Sequence, residues 1–312
     1  MGKTRVAIID LGTNTFNLLI TEVEGNSYRI LVESKYPARL GEGGIHRATI
    51  TTEAMRRGVE ALTTHLITIS EYQVDSIFCF ATSAIRSATN GNEFVRRVKQ
   101  ELGLSIRVIP GDEEAQTIFD GVKQVIPLGE EFSLIMDIGG GSIEFIIANK
   151  GGIAWKDSYN LGVARLLEQF NPSDPITKSQ IEEIEKHLES RMQPLIDAIE
   201  KFPIGKLVGS SGSFDTLAAI IAKKEYPLLE LSKITSFKLK PEALLETHNK
   251  LISLTIEERR TLPGMDSDRV ENIVPASIIV QWVMNRLKPE EVWQCSFSLK
   301  EGAILQILNS EL

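Results

Sequence analysis

The chain has 312 residues, 42% of them hydrophobic and 24% charged. Those values describe a folded chain of about two domains and exclude a disordered, collagen-like or mucin-like architecture. A net charge of -8 speaks against a partner held by its phosphate backbone, so no nucleic-acid partner is expected.

The charge is uneven. Residues 1–127 carry 14 Lys+Arg and 15 Asp+Glu, whereas residues 128–312 carry 20 and 27, so an anion meets less repulsion in the first part. The N-terminal apolar run VAII is too short for a signal-peptide core, and no stretch reaches the ~18 apolar residues of a spanning helix. Cys79 and Cys295 are isolated, without a CxxC or a disulfide framework. A cytoplasmic protein with no membrane partner is the expectation.

In chain order, VAIIDLGTNTFNLLITEVEGN reads as a β-hairpin followed by a third strand. SLIMDIGGGSIEFIIANKGG repeats it at a constant offset of 127, pairing Asp10 with Asp137, Gly12 with Gly139 and Gly25 with Gly152 without a gap. Two similar β-cored domains follow from the repeat. Thr51–Tyr72 reads as a threonine-capped helix, Ser76–Ala81 as a buried strand, and Asn92–Leu102 as a helix stopped by Gly103. Ile106–Ile109 is a strand leading into an acidic helix start. In the second half, helices are expected from Thr177 to about Phe202, over Ser213–Lys224 and Pro241–Leu254, and over Arg269–Leu287 around Pro275. Lys206–Gly209 and Val292–Phe297 read as strands, and Leu299–Leu308 as a closing helix. Strand and helix alternate, so the class is α/β. A tight domain junction is expected near Pro127–Glu131.

Asp-x-Gly at a strand end, present twice, is the first candidate chemistry. Glycines let a turn approach an anion closely and present backbone N–H groups to it. Gly12, Thr13 and Asn14 form one such turn, and Gly139, Gly140, Gly141 and Ser142 the other. A single copy reads as a plain hairpin turn; two copies in register favour a ligand. Glu144, which occupies the place of Asn17 in the first copy, is either an exposed strand residue or a carboxylate that orders a metal ion or a water. Arg86, just past a strand end, can grip a phosphate or pair with a surface carboxylate. Asp112, Glu113 and Glu114 fit an ordinary helix start, or one of them acts on water. Gly209-Ser-Ser-Gly-Ser213 lies between strand and helix and matches neither GxxxxGK[ST] nor GxGxxG. The four histidines form no zinc motif, and GxSxG is absent.

Taken together and in this order, VAIIDLGTNTFNLLI, FATSAIRSATN, VIPGDEEAQTIFDGV, LIMDIGGGSIEF, NLGVARL and LVGSSGSFDTLAA resemble the exopolyphosphatase/guanosine pentaphosphate phosphohydrolase (Ppx/GppA) family over essentially the whole chain. The resemblance implies two ribonuclease-H-like domains of the actin, sugar-kinase and Hsp70 type around a central cleft. These would be residues 1–127 with a returning segment 300–312, and residues 128–299. It implies hydrolysis of a terminal phosphoanhydride bond, with inorganic polyphosphate as substrate or, alternatively, guanosine pentaphosphate. A kinase or a silent nucleotide or polyphosphate sensor of the same fold is the rival.

Carried over by motif, Gly12, Thr13, Asn14, Arg86, Gly139, Gly140, Gly141, Ser142, Gly212 and Ser213 would bind phosphate. Glu114 would be the catalytic base, with Glu113 as the alternative and Glu144 as a further catalytic carboxylate. Asp10, Asp137 and Glu144 would hold Mg2+. A homodimer is compatible with the resemblance. Two positions depart from the family: its Gly-Gly-Thr core is replaced in Gly209-Ser-Ser-Gly-Ser, and Lys300 stands where an arginine is usual. The helical extension of longer members is absent from this sequence.

Overall fold

A computed structural model describes residues 2–309. The last three positions of the expected returning segment, 310–312, lie outside the described residues. The chain divides into two compact units, one formed by the chain up to Gly121 together with the helix that begins at Leu299, the other by Val122–Ser298.

The first unit holds strands β1 (Thr4–Leu11), β2 (Phe16–Glu24), β3 (Ser27–Tyr36), β4 (Ser76–Ala81) and β5 (Ile106–Val108), in the sheet order β3-β2-β1-β4-β5. β1 to β3 form an antiparallel meander, and β4 and β5 add in parallel. The turn from β2 to β3 uses Gly25 at φ +60°, a conformation that glycine adopts without strain. Its helices are α1 (Thr52–Glu71), α2 (Ser83–Ser87), α3 (Gly91–Leu102) and α4 (Gly111–Val122). The Thr51 hydroxyl caps α1 by accepting from the Ala54 N–H, and α3 stops at Gly103 in the left-handed region.

Because side chains alternate along a strand, β1 serves two cores. Ala7, Ile9 and Leu11 pack with Met55, Leu62, Phe94 and Val98 from α1 and α3. Val6 and Ile8 face the other way, with Leu19 and Val23, and are covered by Ala303 and Ile304 of the final helix, Leu299–Asn309. Asp10 shares the parity of Val6 and Ile8, so it sits at the end of the face that this helix covers.

The second unit repeats the plan with β6 (Phe132–Ile138), β7 (Ile143–Asn149), β8 (Gly152–Tyr159), β9 (Ile204–Ser210), β10 (Ser236–Leu239) and β11 (Glu291–Cys295), ordered β10-β11-β9-β6-β7-β8. The hairpin β6-β7-β8 is antiparallel, β9 and β11 join in parallel, and β10 closes the edge antiparallel. Its helices are α5 (Val163–Phe170), α6 (Lys178–Arg191), α7 (Gln193–Lys201), α8 (Ser211–Glu225), α9 (Pro241–Ser253), α10 (Ile256–Arg260) and α11 (Ile273–Leu287); the final helix is α12. α11 is buried nearly all round, with Trp282 at its centre, in one core shared with Leu134, Met136, Phe145 and Phe214.

Three expectations need correction. The helix expected from Thr177 to Phe202 is two, broken at Met192, because Pro194 has no N–H and its ring clashes with the carbonyl four residues back. The helix expected from Arg269 starts at Ile273, so that Pro275 falls in the first turn, where its missing N–H costs no hydrogen bond. The last strand ends at Cys295 rather than Phe297. No helix of the described residues is long and apolar enough to cross a membrane.

Candidate active site

In the first unit, Asp10 near the end of β1 lies opposite Asn17 of β2, whose Nδ2 donates to Asp10 Oδ2 at 2.9 Å. Between them the Gly12 N–H donates to the Thr15 carbonyl at 3.1 Å, and a Cβ at Gly12 would lie 2.8 Å from that oxygen. The following chain ties the turn's carbonyls back: the Arg39 N–H donates to Asn14 O at 2.7 Å and the Gly41 N–H to Thr13 O at 3.1 Å. With the acceptors occupied, the turn offers donors. Thr13 Oγ1 and Asn14 Nδ2 are buried without a hydrogen-bond partner, which is costly unless a ligand supplies one.

The second unit builds the same turn at the same offset. Asp137 lies opposite Glu144, and the Gly139 N–H donates to Ser142 O at 3.0 Å. Here α5 occupies the carbonyls: Val163 N–H donates to Gly139 O at 3.1 Å, Ala164 N–H to Gly140 O at 2.8 Å and Arg165 Nε to Gly141 O at 2.7 Å. A Cβ at Gly162 would fall within 2.4 Å of the Gly140 backbone, so only glycine lets α5 approach this far. Among the described residues the N–H groups of Gly140, Gly141 and Ser142 bond to no protein acceptor, so successive amides are left for an anion.

Both carboxylates of this turn are buried and held by hydroxyls. Glu144 Oε1 accepts from Ser158 Oγ at 2.7 Å. Asp137 Oδ2 accepts from Ser210, Ser211 and Ser298 at 3.1, 2.6 and 2.5 Å. Among the described residues no group of three or more His, Cys, Asp or Glu forms a metal cage. Asp137 and Glu144 on paired strands are hard-oxygen donors of the kind that suit Mg2+, an ion that keeps waters and shares substrate phosphates rather than needing a full protein cage. Asp10 belongs to the other unit's turn, where Asn17 rather than a second carboxylate faces it.

The third loop joins β9 to α8. Ser213 Oγ donates to Ile138 O at 3.2 Å, which commits its proton to the end of β6. A Cβ at Gly212 would lie 2.3 Å from Nη2 of Arg269, so this glycine admits a guanidinium against the loop.

Arg86 and Glu114 come together in the first unit. Thr82, whose N–H and hydroxyl both donate to Leu11 O, fixes the start of α2 and so the position of Arg86. Arg86 Nη1 donates to Glu114 Oε2 at 2.6 Å and to Ile109 O at 3.0 Å. Their side chains are 19% and 8% exposed. Glu113 instead turns outward to Arg107 at 2.7 Å and is 29% exposed. The partner of Arg86 is thus a buried carboxylate, and burial separates the two glutamates that the sequence leaves as alternatives.

On α12, Lys300 Nζ pairs with the fully buried Glu301 at 2.7 Å and with Glu33 at 3.4 Å. Burial alone would lower the Lys300 pKa, but the charges of Glu301, Glu33 and Asp10 outweigh it and hold the ammonium above the ordinary lysine value. Lys300 therefore stays cationic on the Asp10 side of the sheet.

Sequence reasoning missed Arg165, Arg269 and the serine cluster on Asp137. The serines carried a signal, the Gly209-Ser-Ser-Gly-Ser segment, but its hydroxyls read as ligand donors rather than as supports for a distant aspartate.

Residues 19–311 match the Ppx/GppA phosphatase family. A crystal structure of an exopolyphosphatase from Cytophaga hutchinsonii is 35% identical, with a TM-score of 0.96 over 99% of each chain. The Aquifex aeolicus PPX-GPPA enzyme is 25% identical, with a TM-score of 0.79 over 98% of this chain and 100% of that one. Exopolyphosphatase 1 of Mycobacterium tuberculosis is 27% identical over 315 residues, 98% of this chain and 89% of its own length.

Proposed function

Because the chain belongs to the Ppx/GppA phosphatase family, we propose that it is a phosphoanhydride hydrolase that removes the terminal phosphate of inorganic polyphosphate as orthophosphate. The observation that carries this reading is the repeated Asp-x-Gly turn, whose carbonyls are tied back so that its amides, and in the first copy two buried side-chain polar atoms, serve an anion.

Phosphoryl transfer through a loose transition state asks mainly for positioning and charge neutralisation. The amides of residues 140–142 and the polar side chains of Thr13 and Asn14 would hold phosphate oxygens. Asp137 and Glu144 would hold Mg2+, which supplies charge neutralisation to the phosphates when bound. Glu114 would take a proton from water as the water oxygen attacks the terminal phosphorus, and the bond to the bridging oxygen breaks with its electron pair leaving on the shortened chain. Arg86 fixes the Glu114 carboxylate by donating to Oε2 at 2.6 Å, which would aim the other oxygen as a general base requires. We place it in the cytoplasm, a reading that two buried cysteines outside any disulfide, Cys79 and Cys295, support.

The test is phosphate release from polyphosphate, guanosine pentaphosphate, ATP and a phosphomonoester, each with Mg2+ and with EDTA. Polyphosphate is expected to be fastest, with release abolished by EDTA and restored by Mg2+. Faster release from guanosine pentaphosphate would move the substrate to the guanosine nucleotide, and inertness of folded protein towards both would refute the hydrolase reading.

A further inference from the structure

Ser211 opens α8 with φ +68°, the left-handed region in which a Cβ crowds the backbone and which glycine adopts freely. The chain has a glycine next door, at Gly212, where Arg269 needs the space, yet it keeps serine at the sterically disfavoured position. What serine adds over glycine is a hydroxyl, and that hydroxyl donates to Asp137 Oδ2 at 2.6 Å. Ser210 and Ser298 converge on the same oxygen from the end of β9 and from the segment before α12. Among the described residues no hydrogen bond reaches Asp137 Oδ1. Three donors on one oxygen fix both rotations of the carboxylate and leave Oδ1 as the oxygen it presents. A residue persists in a strained conformation only where its surroundings over-determine it, and here the over-determining contact is with a buried carboxylate beside the amide-lined turn.

We propose that Ser211 is a positioning residue for Asp137, holding Oδ2 so that Oδ1 is directed to a hard divalent cation. The inference rests on the reading of Asp137 and Glu144 as the cation's carboxylates. Groups that orient a metal ligand typically change metal affinity by about 10- to 100-fold when removed.

The test uses the full chain, with Mn2+ as the probe and free Mn2+ counted by electron paramagnetic resonance, beside melting curves taken without metal. Ser211→Gly removes both the hydroxyl and the left-handed crowding, so its metal-free Tm should hold or rise while its Kd for Mn2+ rises about 10- to 100-fold. Ser211→Ala keeps the crowding and should show the same loss of affinity with an unchanged or lower Tm. Stability and affinity moving apart in Ser211→Gly is the signature that a purely structural serine does not give. Mn2+ affinity within twofold of wild type in both variants would overturn the inference. So would a Ser211→Gly protein that melts earlier as well as binding less, or a wild-type protein that binds no Mn2+. Wild-type protein that binds Mn2+ but releases no phosphate from polyphosphate refutes the proposed activity alone, and the Mn2+ comparison still decides the role of Ser211.

Discussion

Replacing Glu114 by glutamine removes one charge at nearly constant shape. The side-chain amide oxygen of Glu114→Gln can still accept from Arg86 Nη1, so the fold loses only the difference between a charge-assisted and a neutral hydrogen bond, about 1 kcal/mol. Arg86 keeps the Ile109 carbonyl and some access to water, so it is not left as a stranded charge. A fall of a few degrees in Tm is the structural consequence. Catalysis should change far more, because a positioned general base contributes about 10² to 10⁴ in rate. At about 1.36 kcal/mol per decade this is roughly 2.7–5.4 kcal/mol of barrier, several times the loss of stability. The assay is kcat for phosphate release from polyphosphate at saturating substrate and Mg2+, with near-ultraviolet circular dichroism on the same sample. Glu113→Gln is the control: that side chain turns to Arg107 at the surface, and its kcat should stay within about twofold. Folded Glu114→Gln protein with kcat within threefold of wild type would refute the role of Glu114, and a large loss in Glu113→Gln instead would move the base by one residue.

Arg86→Met should destabilise by about 3–5 kcal/mol, since it removes the cation paired with the buried Glu114 carboxylate, and the double variant Arg86→Met/Glu114→Leu should recover much of this; a melting cycle showing additive losses would contradict the coupling. Gly302→Ala should lower Tm because its Cβ would lie 1.7 Å from the Thr117 carbonyl oxygen, so that α12 must shift off α4, a strain of about 1–3 kcal/mol or more; an unchanged melting curve would exclude that packing. Burial lowers the pKa of His65 and of His248 below the ordinary value of 6.5, so below that pH the unfolded chain binds more protons than the folded one and stability declines. The urea midpoint should be flat above pH 7 and fall between pH 6.5 and 5. His65→Gln/His248→Gln should flatten that fall, and an unaltered slope would point to other groups.

The fold was legible where the pattern is local and repeated. Alternation in VAIIDLG and LIMDIGG marks two-faced strands, and the offset of 127 survives down to the pairing of Asp10 with Asn17 and of Asp137 with Glu144. The turn donors and the importance of Arg86, Glu113 and Glu114 were visible in the same way. What escaped depends on contacts distant in sequence. No local signal says that Arg86 meets Glu114, or that Ser298 donates to Asp137 across 161 residues. Glu144 illustrates the limit: on an alternating strand a lone glutamate reads as exposed, yet Ser158 on the neighbouring strand makes its burial tolerable.

The covering of Val6, Ile8 and Leu19 by Ala303 and Ile304 sets an order of events during synthesis. A ribosome completes the first sheet early but delivers α12 only after the whole of Val122–Ser298, roughly 9 to 35 s later at 5–20 residues per second. Through that interval one face of β1 and β2 is without its lid, each large apolar side chain forgoing about 1.5–3 kcal/mol of burial. The nascent first unit therefore carries an uncovered apolar sheet face until α12 arrives. The second unit is continuous in sequence and can finish folding first, so the amino-terminal half of this chain is the last to mature.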